Sequence, residues 1–142
     1  MKKTMFDFDD GRGEVLAHRH INKNGELGGW VEDNCEVSED SYISENSCVY
    51  NNSSVDNSSV DNEKITNTRQ VYTQSPIGSR NDRCTATINE KKEIHVVVGC
   101  FRGTIGEFEK AVLKTHGHSN YGKEYLAFIE NAKTSFKIWG LL

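Results

Sequence analysis

Proline occurs once in 142 residues, cysteine four times, and no apolar run approaches the roughly 20 residues needed to cross a bilayer. Each shortage excludes something. Without such a run the chain has no membrane span. Cys35, Cys48, Cys84 and Cys100 stand far apart, without a CxxC pair and without a secretory leader at the Met-Lys-Lys-Thr start. This pattern is read as a reducing, cytoplasmic setting. Hydrophobic residues reach only 35%, against 27% charged, so the chain is polar yet retains enough apolar material to fold. Its length allows one ordinary domain or two very small ones and excludes a large core.

Positive charge is scarce in the first half. Residues 1–76 carry 7 Lys/Arg against 14 Asp/Glu, a balance of −7, whereas residues 77–142 carry 10 against 7, a balance of +3. The acidic half repels phosphate, so nucleic acid is disfavoured there, and a polyanion would have to meet the C-terminal half.

What is present is a spacing. Val31, Val37, Ile43, Val49 and Val55 fall six apart, and four positions after each comes a small residue: Cys35, Ser41, Ser47, Ser53 and Ser59. Between them lie Asn34, Asp40, Asn46, Asn52 and Ser58, mostly residue types that tolerate the left-handed backbone of turns. Neither a helix nor a plain strand has a period of six. A short left-handed parallel β-helix does, with its aliphatic side chains stacked inward. After Val55 the spacing slips to five, at Val60 and Ile65, before Val71 restores it. Residues 31–76 thus predict a stem of two to three coils, too short to be comfortable alone, with residues 1–30 as an N-terminal strand or cap.

The segment from Phe8-Asp9-Asp10-Gly11 through Ala17-His18-Arg19-His20, Asn24-Gly25 and Gly28-Gly29-Trp30-Val31 resembles the opening of phage and prophage hexapeptide-repeat proteins, over roughly residues 6–60. It differs from them by extra residues between His20 and Gly28, and by Asp, Glu or Asn where those repeats commonly have Gly. The run Ile77-Gly78-Ser79-Arg80-Asn81-Asp82, followed by Val98-Gly99-Cys100-Phe101-Arg102-Gly103-Thr104 and Thr115-His116-Gly117, is similar to a C-terminal module of phage proteins. The resemblance implies a phage setting and an architecture, and carries no catalytic residue across.

Residues 77–142 read as a ββαα domain. Thr85–Ile88 and Ile94–Val98 flank the polar loop 89–93 and predict a hairpin. Thr104 and Glu107 form a capping box that starts a helix at Ile105, and Gly117 falls where a left-handed cap would end it. A second helix is expected from Tyr121 to Thr134, with Phe136, Ile138 and Trp139 covering an edge or a neighbouring subunit.

The strongest candidate site is the loop Gly99, Cys100, Phe101, Arg102, Gly103, Thr104, which would deliver a cation and close backbone approach to a helix N-terminus, with Arg80 and Arg83 converging on the same anion. The plainer alternative is a tight turn with surface arginines. His116 and His118 could join the site or merely complement the helix dipole. Cys100 could be activated by the helix start or be structural. His18 and His20, two apart, would share one face of a strand but have no adjacent third metal ligand. No cofactor and no metal is expected. These readings converge on a non-enzymatic phage or prophage accessory protein: a homo-oligomer, with a trimer expected, that captures a host protein or a small anionic ligand such as a nucleotide, with a role against host defence. An acyl-transfer or nucleotide-processing enzyme using His116, His118 or Cys100 is the alternative, and a structural assembly component the second.

Overall fold

Aliphatic residues at every sixth position can reach a common interior only if successive turns of chain lie in register, and the structure shows how far that goes. The computed structural model describes residues 2–142, in two units that meet between residues 68 and 69 of the chain.

In the first unit, β1 (Thr4–Asp7), β2 (Glu14–Ile21) and β3 (Leu27–Glu32) form antiparallel pairs. The hexads then contribute strands of two residues each. β6 (Cys48–Val49) lies parallel to β3, and β9 (Lys64–Ile65) parallel to β6. β4 (Glu36–Val37) pairs with β7 (Ser54–Val55), and β5 (Tyr42–Ile43) with β8 (Ser59–Val60), each as a separate two-stranded sheet. Val31, Ile43, Val49, Val60 and Ile65 are completely buried, and Val55 nearly so. Val37 is only half-buried.

The expectation of a left-handed parallel β-helix followed by a ββαα domain is therefore corrected. The fold is a mixed, sheet-rich one of several small sheets with two C-terminal helices. Two-residue strands supply too few ladder bonds to build continuous parallel sheets, and the segment before the repeat brings antiparallel hairpins that dominate the largest sheet.

The small residues of the repeat hydrogen-bond across turns of chain. The hydroxyls of Ser41, Ser44 and Ser47 accept the backbone N–H groups of Ser58, Asn62 and Glu63, at 3.1, 2.9 and 3.0 Å. Left-handed backbone is found at Asn51, Asn52, Asn57 and Asn62, not at Asn34, Asp40 or Asn46. Asn57 and Asn62 sit in the two five-residue steps, where a left-handed corner turns the chain in one residue fewer and keeps Val60 and Ile65 inward. The Gly28-Gly29 pair has an equally local cause. The backbone carbonyls of Ile43 and Ser47 lie where a Cβ would stand on either residue.

Outside the turns, Phe6 stacks on Trp30 and Phe8 on Tyr50, with ring centroids 4.4 and 4.8 Å apart. Arg12 forks onto Glu32 at 2.8 and 2.9 Å, clamping the β1–β2 loop to β3. The guanidinium and the N–H of Asn51 hold the Glu32 carboxyl below the usual range.

In the second unit β10 (Val71–Ile77), β11 (Asp82–Ile88), β12 (Ile94–Val98) and β13 (Phe101–Thr104) form one antiparallel sheet in chain order, followed by α1 (Ile105–Thr115) and α2 (Asn120–Ile138). The domain thus has four strands where two were expected. The added strands flank the predicted hairpin, and β10 takes up residues read as the end of the stem. The core face of the sheet, from Cys84, Ala86, Ile88, Val96 and Val98, packs against Phe108, Val112, Phe128, Ile129 and Phe136. Phe136 is completely buried in this core rather than covering an edge. Ile138 is exposed, and Trp139 lies under the Arg69 guanidinium at 4.0 Å. Leu141 donates its N–H to the Phe136 carbonyl, and Leu141 and Leu142 pack back onto the core.

Candidate functional site

Hairpin parity decides which of the candidate residues meet. Gly99 and Cys100 form a two-residue turn joining β12 to β13, with Gly99 at φ 54°. Strand residues then alternate between faces. Phe101 points to the helix side, where its ring lies 5.3 Å from that of Phe108. Arg102 stands in the cross-strand row Thr73–Thr85–Val97–Arg102, on the opposite face. Arg83, next to the core residue Cys84, also turns away from the helices.

On the helix side there is a cleft of about 390 Å³ between the β10–β11 turn, the β12–β13 turn and the two helices. Arg80 and Asp82 line one wall, Gly99, Cys100 and Phe101 another, and His116 and Tyr125 the helical side. His116 and Tyr125 have ring centroids 5.6 Å apart, and the Phe108 ring meets Tyr125 edge-on. Burial raises the Tyr125 phenol above its ordinary range; Cys84, Asp82 and Glu124 push the same way, and Arg80 opposes them. Gly78 shapes the rim. It holds φ 74° with the Tyr125 hydroxyl where its Cβ would be, and donates its N–H to Glu124 Oε1 at 2.6 Å.

Of the predicted residues, the cleft gathers Arg80, Gly99, Cys100, Phe101 and His116. Arg83, Arg102, Gly103, Thr104 and His118 lie outside it. The start of α1 is already occupied. Thr104 Oγ1 accepts the Glu107 N–H at 3.2 Å, and Glu107 Oε1 accepts the Thr104 N–H at 2.9 Å, so a carboxylate of the chain itself stands where an external anion was expected. Cys100 belongs to the hairpin turn and is separated from that helix by β13. His118 is exposed in the α1–α2 turn, beside Gly117 at φ 55°.

Sequence reasoning missed Asp82 and Tyr125 as members of the site. Tyr125 falls within the helix expected from Tyr121 to Thr134, a placement that does not show its proximity to Arg80. Cys48 and Cys84 are pushed up by burial to about 11 and about 12, and Cys35 is raised, chiefly by burial, while Cys100 is exposed.

Among the described residues, no group of three or more His, Cys, Asp or Glu is arranged to hold a metal ion. His20 is buried and directs Nε2 to the Ser41 carbonyl at 2.8 Å. Among the same residues no helix is long and apolar enough to cross a membrane. No protein-family model, no curated protein and no solved structure matches the chain.

Proposed function

We propose that this chain is a non-enzymatic binding module whose C-terminal unit captures a small anionic ligand of the nucleotide class. The observation that carries the reading is the cleft in which Arg80 stands beside an aromatic floor of Phe101, Phe108 and Tyr125. A guanidinium recognises a phosphate or carboxylate by charge and forked donors, and an aromatic floor accepts a planar base. Asp82 in the same cleft offers an acceptor to ligand hydroxyl or amino groups and disfavours a ligand that is anionic throughout. The resemblance of residues 6–60 to phage hexapeptide-repeat proteins supports a phage setting, and with it capture of a host-derived ligand. Exposed Met5, Leu16 and Leu27 on the antiparallel strands of the first unit support self-association, with a trimer as the stoichiometry to test by sedimentation equilibrium.

Calorimetric titration of nucleotides and cyclic nucleotides tests the site. Arg80→Ala is expected to weaken binding by about 1.5–3 kcal/mol, the range for a hydrogen bond to a charged group, whereas Arg102→Ala, on the other face of the sheet, leaves it unchanged. Equal loss in both variants, or no binding by the wild type, overturns the reading.

A further inference from the structure

A larger cleft lies in the first unit, independent of the one above. Its volume is about 530 Å³, within the range of small-molecule sites, and it opens between the end of β2 and the β4–β5 connection. Its walls are fixed by buried side chains. His20 Nε2 donates to the Ser41 carbonyl at 2.8 Å. Asn22 both donates to the Ile43 carbonyl at 3.0 Å and accepts the Ile43 N–H at 2.9 Å. His20 and Asn22 are each more than nine-tenths buried, so the two segments are held at a set spacing before any ligand arrives.

The two walls differ in chemistry. The β2 side presents His18, Ile21 and Lys23; the other side presents Val37, Glu39 and Asp40. Arg19 also lines the β2 wall, anchored through its Nε, which donates to the Gly28 carbonyl at 2.9 Å. Lys23, Glu39 and Asp40 are exposed at the mouth. His18, on the β2 wall, also carries an enclosed Nδ1 with no hydrogen-bond partner.

A basic wall with Arg19 and Lys23 and an acidic wall with Glu39 and Asp40, each carrying an aliphatic residue, match a small molecule with both charges and an apolar arm. We propose that this cleft binds an aliphatic α-amino acid as its zwitterion, with Lys23 meeting the carboxylate, Glu39 and Asp40 the ammonium, and Ile21 and Val37 the side chain. A simple anion is repelled by the acidic wall and a simple amine leaves Lys23 unmatched, so neither fits as well.

The test is titration of L-leucine, L-leucinamide and N-acetyl-L-leucine, followed through the ring resonances of His18 and His20. L-leucine is expected to bind about tenfold more tightly than either singly charged analogue, the weight of one charge-assisted contact. Lys23→Met removes the preference over L-leucinamide, and the double variant Glu39→Gln, Asp40→Asn removes the preference over N-acetyl-L-leucine. Lys23 and Glu39 are exposed, and Asn at position 40 keeps an oxygen for the Ser38 hydroxyl, which Asp40 Oδ1 accepts at 2.6 Å, so the variants keep the fold. Either analogue matching L-leucine on the wild type overturns the proposal, as does the absence of any resonance change up to the solubility limit of L-leucine.

Discussion

The two units hold together by different means. In residues 69–142 a continuous core of aromatic and aliphatic side chains lies between one sheet face and two helices, and Phe128, Ile129 and Phe136 are enclosed on all sides. Residues 1–68 have a narrow file of single Val and Ile side chains, one per short strand, with buried serine hydroxyls accepting backbone N–H groups from the next turn of chain. One unit depends on packed volume, the other on register. The consequence is that a polar group can be essential in the first unit at positions where its loss would be tolerated on an ordinary surface.

The comparison breaks most sharply at Ile43. Replacing it by Asp puts an unpaired charge into the file, where no partner or water can solvate it, and is expected to cost several kcal/mol. Hydrogen exchange then loses protection at Val31, Val49, Val60 and Ile65, and retained protection would mean that the file is not the stabilising element. In the second unit, Phe128→Ala should cost about 3–5 kcal/mol through lost contacts and a cavity, read from the denaturant midpoint and from exchange at Cys84, Ala86 and Val96.

Ser47→Ala is the sharper probe of the difference. It removes little volume but strands the buried Glu63 N–H, so about 1–3 kcal/mol is expected where a volume argument predicts almost nothing. An unchanged midpoint would reduce the serine to a space-filling role.

The smallest effect concerns pH. Burial, and secondarily the neighbouring His20, hold the His18 imidazole below its ordinary value, while Asp33 pulls the other way. The folded chain therefore keeps His18 neutral at a pH where the unfolded chain has begun to protonate it. The unfolded state binds the extra proton, so stability is lost as pH falls through about 6.5 toward the lower folded value. Denaturant midpoints at a series of pH values should show this slope, and His18→Gln should flatten it. An identical slope in both proteins assigns the effect to other groups.

How much of this was legible depended on the distance over which each feature is decided. The inward positions Val31, Ile43, Val49 and Val55 followed from spacing alone, as did the start of α1, because Thr104 and Glu107 satisfy each other's amides within four residues. The cap at Gly117 likewise needs only its own turn. Register, by contrast, joins residues far apart in the chain. No local pattern in the hexads says that two-residue strands will enter sheets partly built by antiparallel hairpins, or that Val71–Ile77 will pair with β11. Register also decided the site. The short hairpin turn at Gly99 and Cys100 sets Phe101 toward the helices and Arg102 away from them, since neighbouring residues on a strand face opposite sides. Arg80, His116 and Tyr125 meet only because the sheet and both helices close around the same cleft, a juxtaposition set by packing across 46 positions of sequence, as in the Gly78–Glu124 hydrogen bond that shapes its rim.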